Sequence, residues 1–213
     1  MKILPWICFL LVSAAANLAN AQEGVDAEDY TPKTERRGGF MLGFAPAYGI
    51  GTTSGYPNEA EKVNRAEFRA DTDLAAASYT SVWFGGALRD WFSYGLGGVL
   101  VGQKGNQLEA SGVAFGVRLE AFPLYQLGGS LRDLGVHGEF GAGALKVEEK
   151  DGTKVADGGS LSLIGVGAFY EPWRLWQIKL GPSLEYSQMF SQTVRAHFVS
   201  LGLRTSFYGT LVD

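Results

Sequence analysis

The 213-residue chain has one cysteine, Cys8, and two histidines, His137 and His197. A single thiol near the N-terminus excludes an internal disulfide. Once that segment is set aside as a leader, it also excludes a cysteine nucleophile or a thiolate metal site. Two histidines this far apart offer no zinc spacing, so neither a metal nor a cofactor is expected. The chain lacks an excess of basic charge: 18 Lys and Arg stand against 22 Asp and Glu, a formal net charge of −4. With no basic stripe to track a phosphate backbone, nucleic acid is not an expected partner. Beyond the leader no apolar run reaches the roughly 18 residues of a membrane-crossing helix. Any bilayer crossing must therefore use strands, because only helices and closed barrels satisfy every backbone polar group in lipid.

What is present begins with the leader. Met1-Lys2, the apolar residues 3–12 and Ala19-Asn20-Ala21 form the charged region, apolar core and small-residue cleavage site of a secretory signal peptide over residues 1–21. Its apolar core is too short to span a bilayer, and no cysteine stands at the cleavage point for a lipoprotein anchor. Residues 22–38, polar and acidic with Pro32, read as a flexible periplasmic lead-in. Residues 39–208 read as one domain and 209–213 as a short tail.

Glycine is abundant, at 30 residues, about twice the usual share and without the three-residue period of collagen. It accompanies strict alternation. Along residues 176–186 the even positions are Trp176, Ile178, Leu180, Pro182, Leu184 and Tyr186, and the odd ones are Gln177, Lys179, Gly181, Ser183 and Glu185. Comparable stretches cover 39–50, 73–88, 91–103, 108–122, 134–147 and 159–170, with a last one carrying Val199, Leu201, Leu203 and Phe207 against Ser200, Gly202, Arg204 and Ser206. Residues 51–72 form a long hydrophilic loop with a short helix expected over 58–70, and residues 148–158 form a second charged loop. Leu88-Arg89-Asp90 recurs as Leu131-Arg132-Asp133, one hairpin further on. The expected fold is all-β: a single antiparallel up-and-down transmembrane β-barrel of about eight strands, after the N-terminal signal peptide.

This threading gathers Trp91, Phe92, Phe122, Tyr125, Tyr170, Trp173, Trp176, Phe207 and Tyr208, together with Phe40, at one end of the strands, as an aromatic girdle at the periplasmic rim. Tyr48, Tyr79 and Tyr186 mark the opposite rim more sparsely. With apolar faces toward lipid, the lumen receives Arg118, Glu120, His137, Glu139, Lys179, Glu185 and Arg204. An eight-stranded barrel is only wide enough for its own side chains, so these groups are expected to pair, structurally or as a gate, and to plug the periplasmic half.

Catalytic chemistry is not expected. His197-Phe198-Val199-Ser200 is similar to the His-x-Ser element of the PagL lipid A deacylases, but position 199 is valine and Ser200 falls on the face opposite His197. A nucleophile and base need hydrogen-bond reach.

Signal peptide, eight amphipathic stretches, short turns at one end and longer loops at the other together resemble the small outer-membrane barrels related to OmpA and OmpX, over residues 39–208. The resemblance implies a location in the bacterial outer membrane, contact with its lipid and lipopolysaccharide, and recognition of a C-terminal strand by the barrel-assembly machinery. Residues 202–207 end on an aromatic, Phe207, as such a strand does, although the chain continues to Asp213. No peptidoglycan-binding segment is expected after the barrel, so the anchoring role of OmpA is not carried over. The expected function is non-enzymatic: a barrel with a filled, charged lumen and loops serving envelope integrity or surface contact. The alternatives are a narrow pore or carrier, a lipid A-modifying enzyme, or a soluble barrel with an apolar ligand.

Overall fold

The computed structural model describes residues 37–127 and 129–211. The expected signal peptide, residues 22–36 of the lead-in and 212–213 of the tail lie outside the described residues. Eight long strands follow in order: β1 (Arg37–Gly55), β2 (Ala75–Arg89), β3 (Phe92–Lys104), β4 (Leu108–Ala121), β5 (Leu134–Glu149), β6 (Leu161–Tyr170), β7 (Ile178–Phe190) and β8 (Val194–Leu211). Each pairs antiparallel with its sequence neighbour, and β1 also pairs with β8, so no edge is left open. Three short segments, Ala70–Asp71, Lys154–Asp157 and Trp173–Leu175, add ladder to β1, β5 and β7 outside the closed ring.

The stagger follows from the registers. Gly43 opposes Trp83, and the path of partners continues through Gly97, Gly116, Gly141, Leu163, Met189 and Ala196 back to β1 at Thr53. One circuit therefore advances ten residues along β1, which tilts the strands by about 40° in a barrel too narrow for a channel unless its side chains part. The interior must alternate large and small residues. A Cβ on Gly43 would lie 2.0 Å from the Trp83 ring, and one on Gly135 2.2 Å from the Phe169 ring. Both glycines are the register partners of those aromatics.

The alternation read from the sequence is the alternation of the two faces. Phe44, Phe84, Leu96, Phe115, Phe140, Val166, Leu184 and Leu201, one from each strand, are each more than 40% exposed. They belong to a belt that closes around the molecule. On β1 it runs outward-facing from Phe40 to Ile50, which at the rise per strand residue and this tilt is about 25 Å along the barrel axis. The inward positions divide by height. Toward the end bearing the chain termini they are charged. Toward the loop end they are apolar, with Ala77, Val99, Val101, Leu145, Val147, Leu161, Leu163, Met189 and Phe198 packed as one buried cluster.

Several details depart from the sequence reading. β1 begins at Arg37 and β8 ends at Leu211, and these two residues pair, so the ladder takes in the last of the expected lead-in and the first of the expected tail. The short helix expected over 58–70 reduces to a 3-10 turn at Ala66–Phe68. The sequence reading placed the ions in the periplasmic half and left the other half open; an aliphatic cluster fills it, because the inward positions there are apolar as well as the outward ones.

Candidate functional site

The charged half of the lumen centres on Glu120 of β4, whose side chain is completely enclosed. Its Oε1 accepts from Arg118 Nε at 2.8 Å and from Arg204 Nη1 at 2.7 Å. Its Oε2 accepts from Arg204 Nη2 at 2.8 Å and from Ser93 Oγ at 3.1 Å. Arg204 turns its Nε to Glu171 at 2.7 Å, and Tyr208 donates its hydroxyl to the same carboxylate at 3.1 Å. This bidentate guanidinium–carboxylate geometry with the remaining lone pairs satisfied is what allows a buried ion pair to offset its desolvation. Both arginines pack against the indole of Trp83, with the Arg118 guanidinium 4.1 Å and that of Arg204 4.5 Å from its ring centre. Arg204 also stacks on Phe169 at 3.8 Å, a use of delocalised cations over aromatic faces.

Arg118 links this knot to a second group of residues. Its Nη2 lies 3.0 Å from His137 Nδ1. A guanidinium can only donate, so that nitrogen accepts and the imidazole is neutral with its proton on Nε2. The same guanidinium reaches toward Glu139 at 3.8 Å and Glu185 at 4.0 Å. Tyr79 donates its hydroxyl to Glu139 at 2.9 Å.

At the terminal mouth, Arg37 donates its backbone amide to Asp90 Oδ1 at 2.7 Å and pairs its guanidinium with Asp133. Lys179 lies 3.4 Å from the same Asp133. The two aspartates are the last residues of the repeated Leu-Arg-Asp motif, so both copies converge on one arginine. The Arg37 guanidinium sits 3.9 Å over Phe122. At the loop end, Thr53 donates to Gln103 Oε1 at 2.7 Å and Thr193 donates to the Asp157 carbonyl at 2.9 Å, tying the loops across the opening. Lys154 donates to Asp157 at 2.5 Å, and this bond holds the Asp157 carboxyl below the usual carboxylate range.

All seven sequence-selected lumen residues, Arg118, Glu120, His137, Glu139, Lys179, Glu185 and Arg204, are inside the barrel and buried. The sequence reading did not find their partners Arg37, Asp133, Glu171, Tyr79, Trp83 and Tyr208. Strand parity was the available signal for the aromatic ones. Odd positions of β2 and even positions of β8 face inward, which encloses Tyr79, Trp83 and Tyr208. The same parity corrects two girdle residues, Phe122 and Tyr208, the second completely buried among the lumen charges. Phe122 continues the inward even positions of β4, is 1% exposed and packs edge-on against Phe169. Tyr79, expected at the outer rim, is likewise enclosed. Of the other girdle residues, Trp91, Trp173 and Trp176 are exposed, while Phe92, Tyr170 and Phe207 are half-buried, all at the terminal end.

His197 faces outward, stacked on Tyr186 with its Nδ1 3.0 Å from the phenol oxygen, whereas Ser200 is enclosed. The two do not form a nucleophile–base pair. Among the described residues, no group of three or more His, Cys, Asp or Glu could hold a metal ion.

No family model matches the sequence, and no curated protein matches it. Among solved structures, the chain is similar to Neisserial surface protein A (NspA), at 9% identity over 78% of this chain and 95% of that one, with a TM-score of 0.43. It is similar to Ail, the attachment invasion locus protein of Yersinia pestis, at 11% identity over 78% and 98% of the two chains, TM-score 0.45. It is also similar to the outer membrane protein OprG of Pseudomonas aeruginosa, at 12% identity over 82% and 98%, TM-score 0.38. The barrel itself stands on its strand pairings.

Proposed function

We propose that this protein is an integral barrel of the bacterial outer membrane, exported through a cleaved signal peptide, with a structural and surface-contact role and no enzymatic activity. The observation that carries this reading is the sorting of the two faces. Phe115 is 69% and Leu201 65% exposed, while Arg118 and Lys179 are 1% and 3% exposed. In water this arrangement would expose a continuous apolar belt to solvent while burying, among the described residues, ten Arg, Lys, His, Asp and Glu side chains. In a bilayer the same belt replaces lipid contacts at no cost, with aromatic residues at its terminal end suited to the headgroup level. The lipid and lipopolysaccharide of that membrane are the partners implied, and β8, which carries Phe207, is the segment proposed for the assembly machinery. The loops at 56–74 and 150–160 are the surfaces left for contact with other molecules.

A pore is the weaker reading. The lumen is crossed by the Arg118–Glu120–Arg204 knot and then by the apolar cluster, so water has no continuous polar path. Cell fractionation with a heat-modifiability gel tests the proposal. We expect the chain in the outer-membrane fraction, and a folded band that migrates apart from the boiled one. Recovery in the soluble periplasmic fraction would refute it. Planar-bilayer recordings of the wild-type barrel are expected to be silent, and stepwise conductance would replace the filled-lumen reading with the pore.

A further inference from the structure

Among the described residues the buried charges of the lumen are unevenly paired. Four cations, Arg37, Arg118, Lys179 and Arg204, are enclosed with five carboxylates, Glu120, Asp133, Glu139, Glu171 and Glu185, and His137 is held neutral by its contact with Arg118. The unevenness is local. Glu120, Glu171 and Asp133 each have a cation or hydroxyl donor within bonding distance. Glu185, 2% exposed, has none: neither oxygen has a hydrogen-bond partner among the described residues, and the nearest charge is the shared Arg118 at 4.0 Å. The hydroxyls of Ser187 and Ser200 beside it are also enclosed and without a partner. Ser200 is the register partner of Glu185 on β8, and Ser187 follows on the same face of β7. On the other flank, β6 places Gly167 opposite Glu185 and Gly165 opposite Ser187, so no side chain from that strand enters, and the His137 imidazole, 2.4 Å from where a Gly167 Cβ would lie, covers the Gly167 side. A Cβ on Gly165 would come no nearer to the Glu139 carboxylate than 3.6 Å.

We propose that this chamber binds one small alkali cation, sodium or potassium, directly or through its own water. Each available donor is an oxygen, which suits a hard cation. Two carboxylates, with Arg118 already beside them, suit a single charge and not a divalent ion. A proton would meet one oxygen of Glu185 and leave the other oxygen and both serines unpaired, at the usual cost of buried polar atoms. A cation with one or two waters meets all of them and compensates the Glu185 carboxylate where it lies. The inference concerns the enclosed face, and its test in vesicles rests on the membrane-barrel reading above; failure to fold into vesicles in any salt counts against that reading, a fold without salt preference against the cation.

The test is urea folding and unfolding of the full chain in phospholipid vesicles, in sodium, potassium or choline chloride at equal ionic strength, with wild type, Glu185→Gln and Ser200→Ala. At a tenfold excess of cation over its dissociation constant, the folding equilibrium constant in sodium or potassium is expected about tenfold above that in choline. Glu185→Gln abolishes the difference. Ser200→Ala, which removes an oxygen but no charge and so guards against a misfolded first variant, raises the concentration of cation required. Identical stability in all three salts overturns the proposal. If that equality comes with a fall in wild-type stability as pH rises from 5 to 8, a proton occupies Glu185 in place of the cation. If it comes without pH dependence, the chamber holds only water. A salt preference that survives both substitutions also overturns it, because the cation then binds elsewhere.

Discussion

Glu120 accepts from two guanidiniums and a serine at once, which makes it the least replaceable carboxylate in the lumen. Glu120→Ala leaves Arg118 and Arg204 buried with their charges uncompensated, and a buried pair broken from one side costs about 3–5 kcal/mol. Urea unfolding in vesicles is expected to show a loss of that size, with outward Ser78→Ala as an unaffected reference. A Glu120→Ala barrel as stable as wild type would mean that the knot does not hold the strands together. The charged members of this network were legible because Arg118, Glu120, Glu139, Lys179 and Arg204 interrupt otherwise small-residue faces. Trp83, Tyr79 and Phe122 were not, because an aromatic residue in a barrel suits a headgroup rim or a glycine-lined interior equally well by composition. Only strict parity along its own strand separates the two. Glu171 and Asp133 lie beyond strand ends, where parity lapses, and only folding shows that their connections turn back into the mouth.

β2 carries two adjacent glycines with opposite surroundings. A Cβ on Gly85 would come within 1.9 Å of the Tyr94 carbonyl, a backbone atom of β3, whereas the nearest atom to a Cβ on Gly86 is 3.6 Å away. Gly85→Ala is therefore expected to separate β2 from β3 and sharply reduce the folded band on a heat-modifiability gel, while Gly86→Ala folds as wild type. Equal yields would show that the close approach of these strands is not required. The strands could be placed from alternation because the period-2 signal persists for about ten residues in most of them, least cleanly over 73–88, where Ser78 and Thr80 fall on the outward face. Their ends were less clear. β1 begins earlier than expected because Arg37 is anchored by Asp90 and Asp133, two residues distant in sequence. The helix expected in 58–70 fails for a related reason. Its charged residues pair locally, Lys62 with Glu59 and Arg65 with Glu67, but it has no apolar stripe to dock against the barrel.

Taken whole, the barrel is a closed sheet whose apolar side looks outward and whose ionic side looks inward, with the loop-end half of its interior sealed by aliphatic side chains. Replacing Phe115 or Leu201, at mid-height of the belt, by arginine is expected to cost about 2–4 kcal/mol in a bilayer. The same replacement in the exposed loop, at Glu61, is expected to cost nothing measurable. The orientation can be read directly, because the only native cysteine is Cys8. In a Cys8→Ser background, single cysteines along β4 and β8 are spin-labelled in vesicles, and their collisions with lipid-soluble oxygen and a water-soluble nickel chelate are compared. The account predicts that labels at 113, 115, 117, 199, 201 and 203 meet oxygen and not nickel, and that the intervening positions meet neither freely. Nickel accessibility at 115 and 201 equal to that of a loop position would contradict it.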